Sequence, residues 1–528
     1  MRSRTFFDPT LFRKNLARFW PLWGVYFLVW AVPLPLLMAY NFLGGGYYAG
    51  QGDLSYQIDR HVLSCSTQAA VIILFIFAVF AAMAVFSYLY AQKSAVFYHS
   101  LPLDRTALFF TGYLSGLGFL LLPHLAVFLL TLLVEALAGH VGFAALLVWL
   151  GSVSACAFFF YSFAVFCAVF IGQLLALPIF YGILSFLIPG IEWLVRLALD
   201  EFVYGFPGNS YDLAFTAFSP AIQLMEDLSY RFDWEDDVLT GVWHFAGWQW
   251  LLVYAAVAAA LTALAFWVYR RRRVESAGDL VSVRAVRPVF KYGMALCAAL
   301  TLGRWLYEIF SFSATIWLLL AFMWLGGFLG YFAAEMLLKK SFRVFRRGIR
   351  GYLVFALVLA VSMTAMEYDI FGYEKRVPDA QDVSAVYVNE GYYRYGLGSA
   401  PALTSEDDIA AVVSLHRSLT EGKADIEAQL SSARVSPVAA EAVSPYDSTV
   451  LYFPVYSTAQ VSVRYRLESG GEMTRTYSIP VTRALLEDPE SPAAQFEALL
   501  RTPALLRADL YDGDPSAFIF RGGSLQLY

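Results

Sequence analysis

Charge is scarce in this sequence of 528 residues: Asp, Glu, Lys and Arg make up 15%, against 59% hydrophobic residues. That balance excludes an ordinary soluble protein of this length, which needs far more polar surface to cover its core. Cysteine is sparse too. Cys65, Cys156, Cys167 and Cys297 form no CxxC pair, and the six histidines form no HExxH, which argues against metal and disulfide chemistry. No GxxxxGK[ST] loop occurs, so the chain has no visible means of binding ATP itself. No cleavable signal peptide is read before the first apolar run, because the opening segment is long and charged and no small-residue cleavage pattern follows.

What the sequence has in abundance is apolar runs of membrane-spanning length. Nine can be placed, at roughly 19–40, 67–91, 107–134, 143–171, 174–195, 247–269, 289–310, 313–337 and 350–366, the last short for a hydrocarbon core of ~30 Å. Soluble domains hide apolar residues in stripes of period 3.6 or 2, whereas these runs are nearly unbroken. The expected fold class is a polytopic α-helical membrane protein with about nine transmembrane helices and a small α+β extracytoplasmic C-terminal domain.

Lys and Arg accumulate in cytoplasmic loops near helix ends. With the N-terminus inside, twenty bases fall on the cytoplasmic side, from Arg2 to Arg350, and only Arg60, Arg196 and Arg231 in the opposite loops. The run WVYRRRRVESAGD, 267–279, fits this frame: Arg270 to Arg273 end the sixth span, each costing ~2.5–3.5 kcal/mol at the bilayer centre. A nucleic-acid role is excluded for this run, since no soluble domain interleaves it with aromatics.

From residue 367 the composition changes to thirteen Lys and Arg against twenty-three Asp and Glu, a net charge of −10 beside +5 for the rest. Ser405 and Asp408 open a helical pattern in a capping-box-like start, with Ile409, Val412, Val413 and Leu415 on its apolar face. Val461, Val463, Tyr465 and Leu467 alternate up to a Gly470-Gly471 turn, beyond which Tyr477 and Ile479 continue the pattern, so LESGGE, 467–472, reads as a hairpin.

Four features carry candidate function. In TLFRKNLARFW, Leu11, Phe12, Leu16 and Phe19 form an apolar face beside Arg13, Lys14 and Arg18, as expected of a helix lying on the inner leaflet and touching anionic lipid. Residues 93–113 join spans two and three and are too apolar for a plain loop; a short cytoplasmic helix docked in a partner's groove would explain Val96, Phe97, Tyr98 and Leu101. His124, Glu135, Glu192, Arg304, Glu308 and Glu335 lie in or beside spans, where ionisable groups are functional candidates, although Arg304 and Glu308, four apart, can satisfy each other. Gly112/Gly116 and Gly326/Gly330 are GxxxG pairs that permit close helix packing.

HSLPLDRTALFFTGY, 99–113, resembles the LP-x-x-R segment between the second and third helices of bacterial ABC-2-type permeases, and YRRRRVESAGD is similar to a segment closing the sixth helix in permeases of bacitracin- and acetoin-operon-like ABC exporters of Gram-positive bacteria. The resemblance covers roughly 1–290 and implies a permease core there with an interface helix and six spans, while the three additional spans over 291–366 and the soluble domain over 367–528 extend beyond that core. It further implies a separate cytoplasmic ABC ATPase holding ATP and Mg, no cofactor bound by this chain, and a second permease chain as partner. The interface helix and the loop Leu101, Pro102, Leu103, Asp104 and Arg105 would dock on that ATPase. Arg272, Glu275, Ala277 and Gly278 would form a family segment at the cytoplasmic exit of span six. The expected function is export of a hydrophobic or amphipathic substrate from the cell membrane, the chain itself being no enzyme. The alternative is a membrane sensor that signals occupancy of its outer domain to a cytoplasmic partner; a membrane enzyme lacks any polar constellation to support it.

The charge asymmetry predicts that a cysteine introduced at Ser405, in a background free of native cysteines, is labelled on intact cells by a membrane-impermeant thiol reagent, while one at Ser276 is not. Equal labelling of the two would overturn this orientation.

Overall fold

The computed structural model describes residues 6–44, 53–100, 103–208, 213–235, 238–272, 287–310, 315–339, 341–390, 402–435, 439–443, 450–454, 457–502 and 505. Helix α1 (Pro9–Arg18) starts with Asp8 as N-cap, its carboxylate accepting from the Leu11 amide, and with proline at the first helical position, where its missing N–H costs nothing. Helix α2 (Trp20–Ala31) runs on through two wide π-type turns, Val32–Leu36 and Ala39–Leu43. Pro33 and Pro35 remove donors there, and the His61 imidazole hydrogen-bonds the carbonyl of Pro33 at 2.7 Å.

The bundle continues with α3 (Leu54–Ser64), α4 (Gln68–Phe86), α5 (Gln92–Ser100), α6 (Arg105–Ala138), α7 (Phe143–Phe170), α8 (Ala176–Phe202), and short α9 (Pro220–Asp227). A bulged antiparallel hairpin, β1 (Ser229–Glu235) and β2 (Val238–Ala246), leads to α10 (Trp248–Arg271), α11 (Arg287–Phe310), α12 (Ile316–Lys339) and α13 (Phe345–Glu367). Among the described residues eight helical stretches are long and apolar enough to cross a membrane: Trp20–Leu43, Leu54–Leu89, Arg105–Ala138, Phe143–Phe170, Ala176–Phe202, Trp248–Arg271, Ile316–Lys339 and Gly348–Glu367. The ninth expected run, 289–310, is helical as α11 but stands outside that set, since Arg287, Lys291, Arg304 and Glu308 dilute its apolar character. The chain is thus mostly helical, with the features of a multi-pass membrane protein.

Packing divides the chain into two compact units: 1–193 with 213–310 and 321–355, and 194–212 with 311–320 and 356–528. In the first, α7 is central, with α3, α4, α6 and α10 packed around it. Small residues make this closeness possible. Gly112 faces Val85 of α4, where an added Cβ would come within 3.1 Å, and Gly116 lies directly against the buried Tyr161 ring. The second GxxxG pair works likewise between α11 and α12, with Gly326 and Gly330 against Ala298 and Met294 and Gly303 against Met323.

The second unit holds an antiparallel sheet in the order β3 (Val383–Glu390), β6 (Ser457–Leu467), β7 (Glu472–Val481), with helices α14 (Glu406–Glu421), α15 (Lys423–Val435), α16 (Arg483–Glu487) and α17 (Pro492–Leu500), and a separate hairpin β4 (Ala439–Val443) and β5 (Val450–Pro454). The alternation in the sequence sets the buried face: Val461, Val463, Tyr465, Tyr477 and Ile479 meet Ile409, Val412 and Leu415 of α14. Ser405 is the N-cap of α14, its Oγ accepting from the Asp408 amide at 3.2 Å. LESGGE is the β6–β7 turn, with Gly470 at φ +82° and the Leu467 amide donating to Gly471 O at 2.8 Å.

The chain leaving α8 belongs to this unit. Tyr204 donates its amide to Glu374 and its hydroxyl to Leu419 O (2.9 and 3.0 Å), and its ring lies 5.0 Å from that of Tyr477. Gly205, at φ +76°, accepts from the Thr476 amide at 3.3 Å, and a Cβ there would come within 2.7 Å of the Tyr477 ring. Lys423 closes the cluster on Glu374 at 2.6 Å.

Buried His416 bonds Tyr465 through Nδ1 (3.1 Å) and Tyr477 through Nε2 (2.8 Å). Burial first, and the Arg475 charge second, push its pKa down to about 4. The unfolded chain takes up this proton near pH ~6.5. The histidine's contribution to stability is therefore complete above that pH and is lost as pH falls towards 4, a total of about 3 kcal/mol. Protection factors of the β6–β7 amides in the full-length protein, the exchange rates taken relative to the intrinsic rate at each pH, should fall between pH 7 and 4.5, with a weaker dependence in His416→Leu; identical pH slopes would show that His416 carries no such linkage.

Candidate functional site

The ends of several helices of the first unit meet where Leu89, Val169, Arg105 and Arg272 come together. A helix leaves its last four carbonyls without internal partners, and those oxygens carry the negative pole of the macrodipole. Arg272, half-buried just past α10, answers three of them: Nη1 donates to Val169 O (2.9 Å) and Ala168 O (3.3 Å) of α7, and Nη2 to Leu89 O (3.2 Å) after α4. Arg105, at the start of α6, donates in turn to Arg270 O (3.0 Å) and Arg272 O (3.3 Å). Burial pulls the Arg272 pKa below its ordinary value, while Tyr90, Tyr88 and Tyr269 oppose that shift.

The three described arginines of the run therefore do different things, Arg273 lying outside the described residues. Arg271 is exposed and lies over Trp267 at 3.9 Å, Arg270 over Phe266 at 5.8 Å, and Arg272 is a fastening. Arg105, read from sequence as a partner contact, is bonded within its own chain. Glu275, Ala277 and Gly278 lie outside the described residues.

Beside this fastening sits α5. Tyr98 stacks on buried Tyr88 (4.6 Å between ring centroids), whose hydroxyl meets that of Tyr269 at 2.9 Å. Ala95 also turns inward, at 2% exposed, whereas Val96 and Phe97 stand out at 60% and 62%. Leu103 is half-buried and Asp104 is the α6 N-cap, without a side-chain cap bond; Leu101 and Pro102 lie outside the described residues. Tyr98, grouped with the outward residues in the sequence reading, is thus the anchor of α5.

Helix α1 lies along α6. Asp8 N donates to Thr111 Oγ1 (2.9 Å) and Asn15 Nδ2 to Ser115 Oγ (3.1 Å), with the Phe19 ring 5.9 Å from Phe119. Leu11, Phe12, Leu16 and Phe19 are half-buried and Arg13, Lys14 and Arg18 exposed, the division the sequence pattern assigned.

The polar groups among the spans have local partners. His124, fully buried between Trp30 and Trp149, hydrogen-bonds Tyr26 (2.6 Å) and Ser154 (3.3 Å). Glu192 accepts from the amides of Ala214 (2.7 Å) and Phe215 (2.9 Å). Arg304 pairs with Glu308 at 3.0 Å, and Glu335 with Lys291 (3.3 Å) and Lys339 (2.9 Å). The sequence reading missed Asp59, which accepts from Trp243 Nε1 at 3.2 Å and, with Glu135, converges on Gly142. Its only signal was an acid placed before an apolar run. Among the described residues no three His, Cys, Asp or Glu side chains form a metal-binding group.

Arg272→Ala should lower stability by about 2–4 kcal/mol, since it leaves buried carbonyls without donors, while Arg271→Ala should change it by less than about 0.5 kcal/mol. Thermal unfolding of the full-length protein in detergent measures both, and equal shifts would refute the fastening.

In comparisons with protein-family models, curated proteins and solved structures, nothing matches this chain.

Proposed function

We propose that the chain is the membrane-spanning subunit of an ABC exporter, driven by ATP hydrolysed on a separate cytoplasmic ATPase. The observation that carries this reading is α5: a nine-residue helix between two candidate spans, anchored on Tyr88 and presenting Val96 and Phe97 away from the bundle beside the arginine fastening. Short helices that expose apolar side chains in this way can dock in a partner's hydrophobic groove. The lack of a phosphate-binding loop in the sequence is in keeping with an ATPase on another chain. On this reading α1 is the interface helix, a second permease chain completes the transporter, and the basic ends face the cytoplasm.

A nine-crossing topology is supported by parity. Tyr204, at the exit of α8, packs on Tyr477 of the C-terminal sheet, so the chain between them crosses the membrane an even number of times. Helices α10, α12 and α13 supply three crossings. The fourth is then α11, whose 24 residues reach about 36 Å and whose Arg304 and Glu308 satisfy each other. The C-terminal domain is accordingly extracytoplasmic.

The sensor reading keeps one specific observation in its favour, the hydrogen bonds from Tyr204 that tie the exit of α8 to the outer domain. The experiment separating the two is Phe97→Asp. Placing a charge in a desolvated groove should leave the protein inserted but lower copurification of an ATPase by about tenfold or more, a loss of at least ~1.4 kcal/mol. Lys93→Asp, at an exposed position, should have a smaller effect. Retention of full ATPase association by Phe97→Asp, or copurification of a kinase instead, would overturn the exporter reading.

A further inference from the structure

The first unit contains a partly enclosed cavity of about 300 Å³ between the end of α7, the start of α8 and the start of α11. Its walls include Phe166, Ile183, Leu187, Met294 and Cys297, and apart from two thiols no side chain lining it can hydrogen-bond. Water needs two to four polar partners to occupy such a space, and these walls offer only two weakly bonding thiols. Phe180 and Phe290 stack across α8 and α11 at 5.0 Å. One turn further along α11, Gly293 contributes no side chain, and a Cβ added there would meet nothing within 4 Å.

The position of the cavity decides its occupant. The wall from α11 spans Val289 to Cys297, and the walls from α7 and α8 are the last turns of one and the first turns of the other. All three therefore lie within ~15 Å of the same helix ends, in one half of a ~30 Å hydrocarbon layer. Those are the ends that carry Arg270, Arg271 and Arg272. A hydrocarbon chain matches the chemistry of these walls, which offer apolar contact and, besides two thiols, no side-chain hydrogen bond.

We propose that this cavity binds one long alkyl chain of an amphipathic molecule taken from the leaflet at the basic helix ends. Gly293 is the position that keeps it open. The role of that molecule as transported cargo rests on the exporter reading, whereas chain binding does not.

The full-length protein would be reconstituted in vesicles of phosphatidylcholine and phosphatidylglycerol containing a phospholipid with a photoactivatable diazirine midway along one acyl chain, irradiated, and mapped by peptide mass. Labelling of Val289–Cys297 should exceed, several-fold, that of Leu28, Val32 and Leu36, which are exposed on α2 and the turn that continues it. Gly293→Phe should remove the excess, and Gly293→Leu, a smaller filling, should reduce it. An added single-chain alkyl phosphocholine should compete for the label if any long chain is accepted, and glycerophosphocholine, which has no chain, should not. Labelling equal to that of α2, labelling unchanged by both substitutions in folded protein, or competition by the chainless headgroup would overturn the proposal. Failure of wild-type protein to copurify an ATPase would count against the exporter reading alone, since the labelling is read without any partner.

Discussion

Helix carboxyl ends leave oxygens without donors, and a bundle that gathers several such ends in one place must supply those donors from side chains. Here one guanidinium supplies donors to three of them. Arg272 holds Leu89, Ala168 and Val169 together, and Arg105 holds the carbonyls of Arg270 and Arg272 itself, so the ends of α4, α7 and α10 and the start of α6 are tied into a single network. The placement of α5 depends on it, because Tyr88, on which Tyr98 stacks, lies one residue before Leu89 and bonds Tyr269, three residues before Arg272. A lysine at 272 would lack the planar fork that reaches carbonyls on two helices at once.

The same requirement, that no polar group be left alone in an apolar surrounding, explains the groups within the bundle. His124 has bonds on both ring nitrogens, His61 bonds the carbonyl of Pro33, and Glu192 receives two amides of the following loop. These are positions where ionisable side chains hold structure in place. Asp59 and Glu135 differ: each has one oxygen bonded and the other, Oδ1 and Oε1, buried without a hydrogen-bond partner. Gly142 lies between them because any side chain there would occupy the space of the Asp59 carboxylate.

Much of the secondary structure was legible in the sequence because its signals are local. Unbroken apolar runs marked the spans, Ser405 and Asp408 marked the start of α14, and alternation about Gly470-Gly471 marked the β6–β7 hairpin with its buried face. At the candidate docking site the amphipathic face of α1 was legible too, since helical period alone assigns Leu11, Phe12, Leu16 and Phe19 to one side. Helix α5 was only half legible: its apolar residues were evident, but whether Tyr98 points out or in depends on Tyr88, ten residues earlier.

By itself the sequence determined the class of the protein, the membrane-length helices and the small sheet-containing domain, because hydrophobic period and capping act over a few residues. Tertiary structure alone decided which arginine is a fastening, which carboxylates share a glycine, and that the exit of α8 docks through Tyr204 and Gly205 on a strand more than 260 residues later. Those outcomes depend on where distant helix ends meet. No local pattern encodes the position of a carbonyl on another helix, and a guanidinium that bonds three of them has the same letter as the exposed arginine beside it.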